Sequence, residues 1–420
     1  MMFRSTRRSG AAVGLSVAIE KGLAADGGLF VPVTFPRADI SKLDPGNLAV
    51  FGAGLLAPFF KGEPLESKIP ALCAEAFSFE APLKQIDDGL HVLELFHGPT
   101  AAFKDFGAGF LARFFAASKK EAIILVATSG DTGGAVAAAF DGMPGIDVFV
   151  LFPDKGVSRR QRHQLTCWGP NIHSFAVTGT FDDCQSLVKQ AFATWKGKRR
   201  LSSANSINIG RLLPQVVYYG ASSLQYRAET GRPASYIIPT GNLGNAQAAV
   251  WARELGFPIQ NITFACNANE ILKNYFETGR WEPKQTVATL ANAMDVGNPS
   301  NMERLLDVYQ SPREARHQLE AFSATDDQIR DAIENAYRRW NWVVCPHTAV
   351  AVHDVLRRER PDVTVVATAH PAKFETIVEP IIGRAIPLPP ALKAIEGRKE
   401  MCKPLPVSLD GLLEELRKAD

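Results

Sequence analysis

The stretch that decides the fold is "AIILVATSGDTGGA", residues 122–135. Its first half is an unbroken apolar run, which is typical of a strand buried on both faces of a parallel sheet. Its second half is small, polar and rich in glycine, and it leads into a segment of helical length. A strand, a tight polar loop and a helix in this order are the building unit of parallel α/β sheets.

Six further apolar runs have the same character, and most of them precede a segment of helical length. They are "HVLELF" (91–96), "IDVFVLFP" (146–153), "NIHSFAVTG" (171–179), "ASYIIPT" (234–240), "NITFACN" (261–267) and "DVTVVATA" (362–369). We therefore predict an α/β fold with open, mostly parallel sheets flanked by helices, in two α/β domains plus an N-terminal module. The predicted divisions are an N-terminal domain (1–90), a large domain (91–120 and 201–390), a small mobile domain (121–200) and a C-terminal extension with a helix (391–420).

Composition narrows the class of protein. The 420 residues are 46% hydrophobic and 21% charged, with a formal net charge of +2, so no overall field favours nucleic acid or an anionic membrane. The six cysteines form no CxxC pair and no zinc-binding pattern with histidine, so we expect reduced thiols and no metal. No signal peptide or membrane-spanning run is evident, and we expect a cytoplasmic protein.

Three strand-to-helix junctions share small, polar, nearly uncharged loops. They are "ATSGDTGGA" (127–135), "PTGNLGNAQ" (239–247) and "ATAHPAKF" (367–374). Small residues at a helix N-terminus let backbone N–H groups approach an anion, and the helix dipole favours negative charge there. "GNLGN" is the better candidate for a phosphate site, although it matches neither the Walker A loop nor the GxGxxG fingerprint. A tight turn is the alternative, because glycine and asparagine both tolerate positive φ.

A fourth segment, "NSINIGRLLPQVVYY" (205–219), carries polar side chains at the entrance to an apolar helix. Asn205, Ser206 and Arg211 could converge on a second anion, since amide, hydroxyl and guanidinium groups are good phosphate ligands. The alternative is a helix N-cap with a surface arginine. Two anion sites would imply a phosphorylated cofactor and a phosphorylated substrate.

The lysine in "ELFHGPTAAFKDFGAGF" (94–110) is unusual because phenylalanines surround it. The spacing predicts a helix capped by Thr100, with Lys104 in its first turn. The helix dipole and the apolar setting both disfavour the ammonium there, which would make Lys104 a nucleophile suited to a Schiff base. The alternative is a snorkelling lysine paired with Asp105 or Glu94.

Seven motifs, in order along the chain, resemble those of the threonine synthase family, in particular its branch with a long N-terminal domain. They are "ELFHGPTAAFKDFG", "ATSGDTGGAVA", "SANSINIGRLLPQVVYY", "GNLGN", "AMDVGNPSNMERL", "CPHTAVAV" and "TAHPAKF". The resemblance extends from "STRRSGAAVGLSVAIEKGLAADGGLFVP" to about residue 385. It implies a fold type II pyridoxal-phosphate enzyme, related to the tryptophan synthase β-subunit. The family converts O-phospho-L-homoserine and water to L-threonine and phosphate by β,γ-replacement.

The resemblance also implies roles for individual residues. Lys104 would form the internal aldimine and act as general acid and base, Thr368 would bond the pyridine nitrogen, and Asp131 would stand near the cofactor's 3′-oxygen. The cofactor phosphate would be held by Gly241, Asn242, Leu243, Gly244 and Asn245. The substrate phosphate would be held by Thr132, Asn205, Ser206, Arg211 and Asn245, and the loop containing Ser129 would hold the substrate carboxylate. We expect a monomer or homodimer acting on a small molecule, and structural roles for His347 and His370.

Two features leave alternatives open. Asp131 stands where the wider fold often has asparagine, and an ionised carboxylate accepts but cannot donate a hydrogen bond. Another lyase or dehydratase of the same fold, such as a threonine or serine dehydratase or a cysteine synthase, would not need the cluster around Arg211. An enzyme acting on a phosphonate or phosphate analogue of homoserine would keep that cluster, and a catalytically silent binding protein is the alternative outside enzymes.

Overall fold

Three β-sheets organise the chain in the computed structural model, which describes residues 1–36, 39–309, 311–358 and 362–420. The first sheet is antiparallel, has the order β2-β1-β3 and belongs to the N-terminal part of the chain. Its strands are β1 (Met2–Ser5), β2 (Val13–Gly14) and β3 (Phe30–Pro32). The predicted N-terminal module therefore contains a small sheet as well as helices.

The second sheet has six strands in the order β12-β11-β10-β13-β5-β4. Its strands are β4 (Leu83–Asp87), β5 (Leu90–Glu94), β10 (Ala234–Pro239), β11 (Ile259–Cys266), β12 (Leu319–Ser323) and β13 (Val363–Ala367). All neighbouring pairs are parallel except β4 with β5. Every residue of β5 and β13 is buried, as expected of central strands covered on both faces.

The third sheet has five parallel strands in the order β14-β8-β7-β6-β9. Its strands are β6 (Ala122–Ala127), β7 (Ile146–Pro153), β8 (Ile172–Val177), β9 (Arg200–Ser203) and β14 (Lys403–Leu405). All seven apolar runs singled out in the sequence are strands of the second or third sheet, so the predicted α/β class with mostly parallel sheets is confirmed.

Helices cover the sheets. They are α1 (Leu15–Lys21), α2 (Leu48–Leu56), α3 (Ile69–Ala76), α4 (Lys104–Ser118), α5 (Asp131–Phe140), α6 (Arg159–Thr166), α7 (Phe181–Thr194), α8 (Ile209–Leu212), α9 (Val216–Thr230), α10 (Gly244–Glu254), α11 (Ile271–Thr278), α12 (Met302–Val308), α13 (Pro312–Arg316), α14 (Asp326–Trp340), α15 (Pro346–Arg357), α16 (Glu375–Ile382), α17 (Pro390–Lys393) and α18 (Leu409–Lys418). Short 3₁₀ helices lie at Ile40–Lys42, Ala57–Phe60, Glu66–Lys68, Leu213–Gln215, Asn292–Met294 and Pro371–Phe374. None of the helices in the described ranges has the length and apolar character needed to span a membrane.

Sheet membership departs from the predicted domain boundaries in three places. Strand β4 lies before residue 91 but pairs with β5 of the six-stranded sheet. Strand β9 crosses the boundary at residue 201 and pairs with β6, while β14, from the C-terminal extension, pairs with β8. These three strands lie at sheet edges, where pairing depends on backbone hydrogen bonds that an apolar pattern does not reveal. The division into domains itself stays a prediction.

Helix α4 begins at Lys104, so this lysine lies in the first turn as predicted, but the predicted cap is wrong. Thr100 does not cap the helix, because its hydroxyl donates to Asp105 Oδ1 (2.5 Å) and its backbone N–H donates to Asp105 Oδ2 (2.9 Å). These two bonds close the turn that precedes the helix. The apolar face of α4 packs as predicted, with Phe110 against Phe60 and Phe77 of the N-terminal part.

Candidate active site

One cleft lies where the carboxyl ends of strands from the two parallel sheets face each other. It contains about 930 Å³ of open space, its mouth included. Every predicted site residue lines this cleft: Lys104, Ser129, Asp131, Thr132, Asn205, Ser206, Arg211, Gly241, Asn242, Leu243, Gly244, Asn245 and Thr368. The structure therefore brings together residues that are up to 264 positions apart in the chain. Their individual roles remain predictions.

The position of Lys104 is set by a short pairing between two strand-end segments. The Phe103 N–H donates to the Thr368 carbonyl (2.9 Å), and the His370 N–H donates to the Ala101 carbonyl (3.0 Å). Ala101 has a φ of 55°, a left-handed conformation that is uncommon for a residue with a side chain. The segment that carries Lys104 is thus fastened directly to the segment that carries Thr368.

The amine of Lys104 faces the cleft without a carboxylate partner among the described residues. Asp105 is occupied by Thr100, and Glu94 pairs with Lys84 (2.8 Å), so the alternative of a snorkelling ion pair is wrong. Burial lowers the pKa of Lys104 from 10.5 to about 8, with the nearby carboxylate of Asp131 opposing that shift. A pKa of about 8 leaves most of this amine protonated near neutral pH but makes its neutral fraction far larger than that of an ordinary lysine, and the neutral form is the one that attacks a carbonyl carbon.

The loop before α10 brings backbone N–H groups to the cleft. Leu243 adopts a φ of 63°, so the chain turns sharply before the helix begins at Gly244. Its first N–H groups have no intrahelical partner, and the helix dipole adds positive partial charge at that end. Gly241 is required for packing, because a Cβ there would lie 2.7 Å from Cα of Met294. The loop is therefore both a tight turn and a potential anion cradle.

Asn245 is oriented by two tyrosines that the sequence reading did not use. Tyr218 and Tyr219 donate their hydroxyls to Asn245 Oδ1, at 2.6 and 2.9 Å. The Nδ2 group is buried and has no protein partner. The amide is thus held with its oxygen toward α9, and its nitrogen is available to a ligand.

In the segment from 205 to 211, some polar groups make structural hydrogen bonds and others are free to bind a ligand. Arg211 is 2% exposed, so the alternative of a surface arginine is wrong. One of its Nη groups donates to the Ala204 carbonyl, and its Nε is buried without a partner. Asn208 is the N-cap of α8, accepting from the Gly210 N–H at 2.9 Å. The Asn205 amide bonds both the N–H and the carbonyl of Ala127, so most of its hydrogen-bonding capacity supports the end of β6.

Asn301 and Arg304 support the segments that are predicted to bind anions, and sequence reasoning treated their motif only as structural. Asn301 Nδ2 donates to Ser206 Oγ (3.1 Å) and to the Asn242 carbonyl (2.9 Å). Arg304 is 0% exposed and donates to the carbonyls of Phe30, Ser206 and Ile207. The available signal in the sequence was the arginine inside "NPSNMERL". A guanidinium that is buried without a carboxylate needs several other acceptors, and the structure supplies them as carbonyls.

Lys373, which sequence reasoning also missed, lies beside the site in contact with Asp131. Its ammonium is completely buried and lies 2.9 Å from Asp131 Oδ1, which also accepts from Gln161 Nε2 at 3.1 Å. Burial alone would raise the pKa of Asp131, but the surrounding charges, that of Lys373 first and that of Lys104 next, together outweigh burial and hold this pKa well below its ordinary value. Asp131 is therefore an ionised acceptor. Only the lysine within "TAHPAKF" hinted at this pair.

The two histidines near the cleft differ. His370 Nδ1 accepts from the Ala372 N–H (3.2 Å), which makes it the N-cap of the 3₁₀ helix Pro371–Phe374. His347 Nε2 accepts from the Ala293 N–H (3.0 Å), and burial lowers its pKa to about 4. The ring is neutral with its proton on Nδ1, and this buried donor has no protein partner. His347 thus offers one hydrogen bond beyond its structural one.

These groups fit pyridoxal phosphate. Three buried donors that have no hydrogen-bond partner in the described parts of the chain line the same cleft, namely Asn245 Nδ2, Arg211 Nε and His347 Nδ1. A buried donor without a partner is costly, and a polar anionic ligand satisfies it. The amine of Lys104, whose pKa burial lowers to about 8, suits the aldehyde of such a ligand.

Comparison with known proteins agrees with this geometry. Residues 72–369 match the family "Pyridoxal-phosphate dependent enzyme", residues 2–77 match "Threonine synthase N terminus", and residues 348–414 match "Threonine synthase, C-terminal". The threonine synthase of Serratia marcescens is 38% identical over 97% of this chain and 96% of its own length. The crystal structure of threonine synthase from Escherichia coli is 33% identical, covers 100% of both chains and superposes with a TM-score of 0.91. The corresponding structure from Brucella melitensis, with pyridoxal phosphate bound, is 34% identical, with a TM-score of 0.89 and coverage of 100% and 99%.

The fold and the lysine-centred cleft define a pyridoxal-phosphate-dependent enzyme of fold type II. Within that class, the full-length similarity is specific: the chain belongs to the threonine synthase family. The predicted fold class, cofactor and family are confirmed, and the family is one of lyases in threonine biosynthesis.

Proposed function

We propose that the cleft converts O-phospho-L-homoserine and water to L-threonine and phosphate, with pyridoxal phosphate bound and Lys104 as the acid–base group. The observation that carries this proposal is the position of one amine between two sets of anion-binding groups. Lys104 shares the cleft with the N-terminus of α10 and with the segment around Arg211. A phosphorylated cofactor and a phosphorylated substrate together require two such sets.

Cofactor binding is assigned to groups that face the cleft from the large sheet. The backbone N–H groups of Gly241 to Asn245, which line the cleft, would hold its phosphate, and the Thr368 hydroxyl would bond the ring nitrogen. When bound, pyridoxal phosphate supplies an aldehyde for the amine and a ring that accepts electrons from the substrate's α-carbon. A neutral hydroxyl at the nitrogen moderates that electron demand, because it cannot protonate the ring as a carboxylic acid would.

Substrate binding is assigned to the opposite wall. Arg211, Ser206 and Thr132 hold the phosphate together with Asn245 Nδ2, and Ser129 lies in the loop that holds the carboxylate. Asn205 contributes chiefly by fixing the end of β6 through both groups of its amide. A substrate without phosphate leaves the buried Nε of Arg211 unpaired, which disfavours a dehydratase or a cysteine synthase.

Lys104 moves the protons. Its neutral amine accepts the α-proton of the substrate, releases it to solvent and then accepts the β-proton, which the ammonium returns to Cγ after phosphate has left. Water then adds its hydroxyl group at Cβ, and the amine passes the proton released by that water to Cα. The guanidinium of Arg211, desolvated in the cleft wall, stabilises the negative charge that develops on the departing phosphate. A pKa of about 8 suits this repeated exchange of protons near neutral pH.

Two variants test the proposal by phosphate release from O-phospho-L-homoserine, with threonine identified as product. Lys104→Ala is expected to lose both turnover and the visible absorption of the bound cofactor. Arg211→Ala is expected to raise KM strongly while the cofactor stays bound, and Arg113→Ala, a partly exposed arginine on α4, serves as the matched control. Full activity of Lys104→Ala contradicts the proposal, and loss of cofactor from Arg211→Ala means that the two anion sites are exchanged.

We further propose the four-part domain division given above, with the small domain closing over the substrate, and a cytoplasmic location. The small five-stranded sheet carries Ser129 and Thr132 on one side of the cleft, which supports a closing role. The location is supported by six cysteines that are all unpaired. Limited proteolysis with and without substrate tests the closure, because an open small domain exposes more cleavable backbone.

A further inference from the structure

The proposed mechanism gives no task to one fully buried cation beside the cleft, Lys373. Lys373 lies in the 3₁₀ turn that follows β13, and its side chain is 0% exposed. Its Nζ donates to the Thr100 carbonyl (2.8 Å) and pairs with Asp131 Oδ1 (2.9 Å). An ammonium is seldom buried unless it is paired and hydrogen-bonded, and these two contacts make the burial of Lys373 possible. They do not explain why a lysine stands at this position.

The pair joins the two sheets. Thr100 and Lys373 follow strands of the six-stranded sheet, whereas Asp131 opens α5 of the five-stranded sheet. Neighbouring contacts cross the same boundary: the Ser158 hydroxyl donates to the Lys373 carbonyl (3.1 Å), and Arg160 donates to the Ala372 carbonyl. Asp131 thus reaches the cleft from the small sheet while a cation of the large sheet anchors it.

Lys104 is surrounded by several charged and titratable groups. These are Asp131, Lys373, Arg211 and Cys345, with His347 also facing Asp131. Burial is the largest influence on the pKa of Lys104; Asp131 raises that pKa, whereas Lys373 and Arg211 lower it. The two members of the buried pair therefore act on the reactive amine in opposite directions.

We propose that Lys373 is a positioning residue: it holds the Asp131 carboxylate at the cleft wall across the sheet boundary, and the pair together sets the charge around Lys104. This inference rests on the proposed role of Lys104 as the reactive amine. The ion pair places a fixed negative charge in the cleft that its own cation largely balances. The ionisation of Lys104 is therefore determined mainly by desolvation, and not by attraction to an unpaired carboxylate.

The test measures the ionisation of Lys104 in the full-length chain after removal of the cofactor. Trace labelling with acetic anhydride across a pH series, read by peptide mass spectrometry, reports the neutral fraction of this amine. We expect Lys373→Gln to shift the profile of Lys104 to higher pH by about one unit, and Asp131→Asn to shift it to lower pH by a similar amount. Lys373→Arg is expected to keep the wild-type profile, and Lys84→Gln, at an exposed lysine paired with Glu94, is the matched control.

A purely structural pair predicts a different result. If loss of either partner only loosens the cleft and admits water, both single variants shift the profile upward toward that of an ordinary lysine. That outcome, or unchanged profiles in both variants, overturns the inference. Each single variant is also expected to lower Tm, and the double variant Lys373→Gln/Asp131→Asn to recover most of the loss, because no unpaired charge remains buried.

Different results would refute the proposed function and the proposed role of the ion pair. An active Lys104→Ala enzyme refutes the proposed function, whatever the labelling profiles show. Opposite shifts in the two single variants support the role of the pair even then, because the labelling reads the amine without requiring turnover.

Discussion

Substitution of one glycine in α4 should disturb both stability and substrate binding. Gly107 faces the segment that carries Arg211, and a Cβ added there would lie 2.4 Å from the Arg211 carbonyl oxygen and 3.1 Å from its Nε. A backbone atom cannot rotate away, so Gly107→Ala must push α4 and the Arg211 segment apart. Overpacking of this kind costs about 1–3 kcal/mol.

The same helix offers a matched control two residues later. A Cβ at Gly109 would meet only Ala76, at 3.5 Å from its carbonyl oxygen, which is an ordinary contact. Both substitutions gain the helix propensity of alanine over glycine, about 1 kcal/mol. Gly109→Ala should therefore be stabilising, and the difference between the two variants isolates the clash at about 1–3 kcal/mol.

Two assays measure the effect on stability and the effect on substrate binding separately. Urea unfolding of the two variants side by side gives the difference in stability, provided that their m-values agree. Steady-state kinetics should show a raised KM for O-phospho-L-homoserine in Gly107→Ala only, because displacement of the Arg211 segment alters the substrate phosphate site and leaves the α10 loop intact. Equal stability and equal KM in the two alanine variants would refute this account of α4 packing.

Three further predictions concern the same region. In the cofactor-free protein, the pKa of Lys104 is lowered from 10.5 to about 8. The unfolded chain therefore binds more protons between these pH values, and wild-type stability should rise with pH across that window relative to Lys104→Met, as measured by urea midpoints. Tyr218→Phe removes a 2.6 Å hydrogen bond to Asn245 Oδ1. In a binding titration it should weaken the affinity for a phosphate ligand roughly three- to tenfold. Unchanged affinity would mean that Asn245 Nδ2 does not contact the ligand. Arg304→Gln strips donors from the buried carbonyl of Phe30 and the partly buried carbonyls of Ser206 and Ile207, and should lower the unfolding free energy by about 3 kcal/mol. A Tm equal to that of the wild type would show that water satisfies those carbonyls.

The central strands and the site loops could be read from sequence because their signals are local. An apolar run such as that of β6 is visible without its neighbours, and a glycine-rich loop after it marks the strand end. The edge strands β4, β9 and β14 could not be read in this way. They are short and partly polar, and their pairing depends on which backbone lies beside them.

The predicted helix cap failed for a related reason. Thr100 has the right side chain at a plausible position, but Asp105 competes successfully for both its hydroxyl and its N–H. Threonine side chains bond whichever nearby backbone or carboxylate group the turn presents, and the geometry of that turn is a tertiary property.

By itself, the sequence determined the α/β class, the family and the set of residues that meet in the cleft, because apolar periodicity and continuous motifs record these directly. Only the tertiary structure decided how these groups are charged and oriented. The burial that lowers the pKa of Lys104, the tyrosines that turn Asn245, and the cation that keeps Asp131 ionised all come from segments distant in sequence. Desolvation and ion pairing depend on what surrounds an atom in space, and no local pattern encodes that.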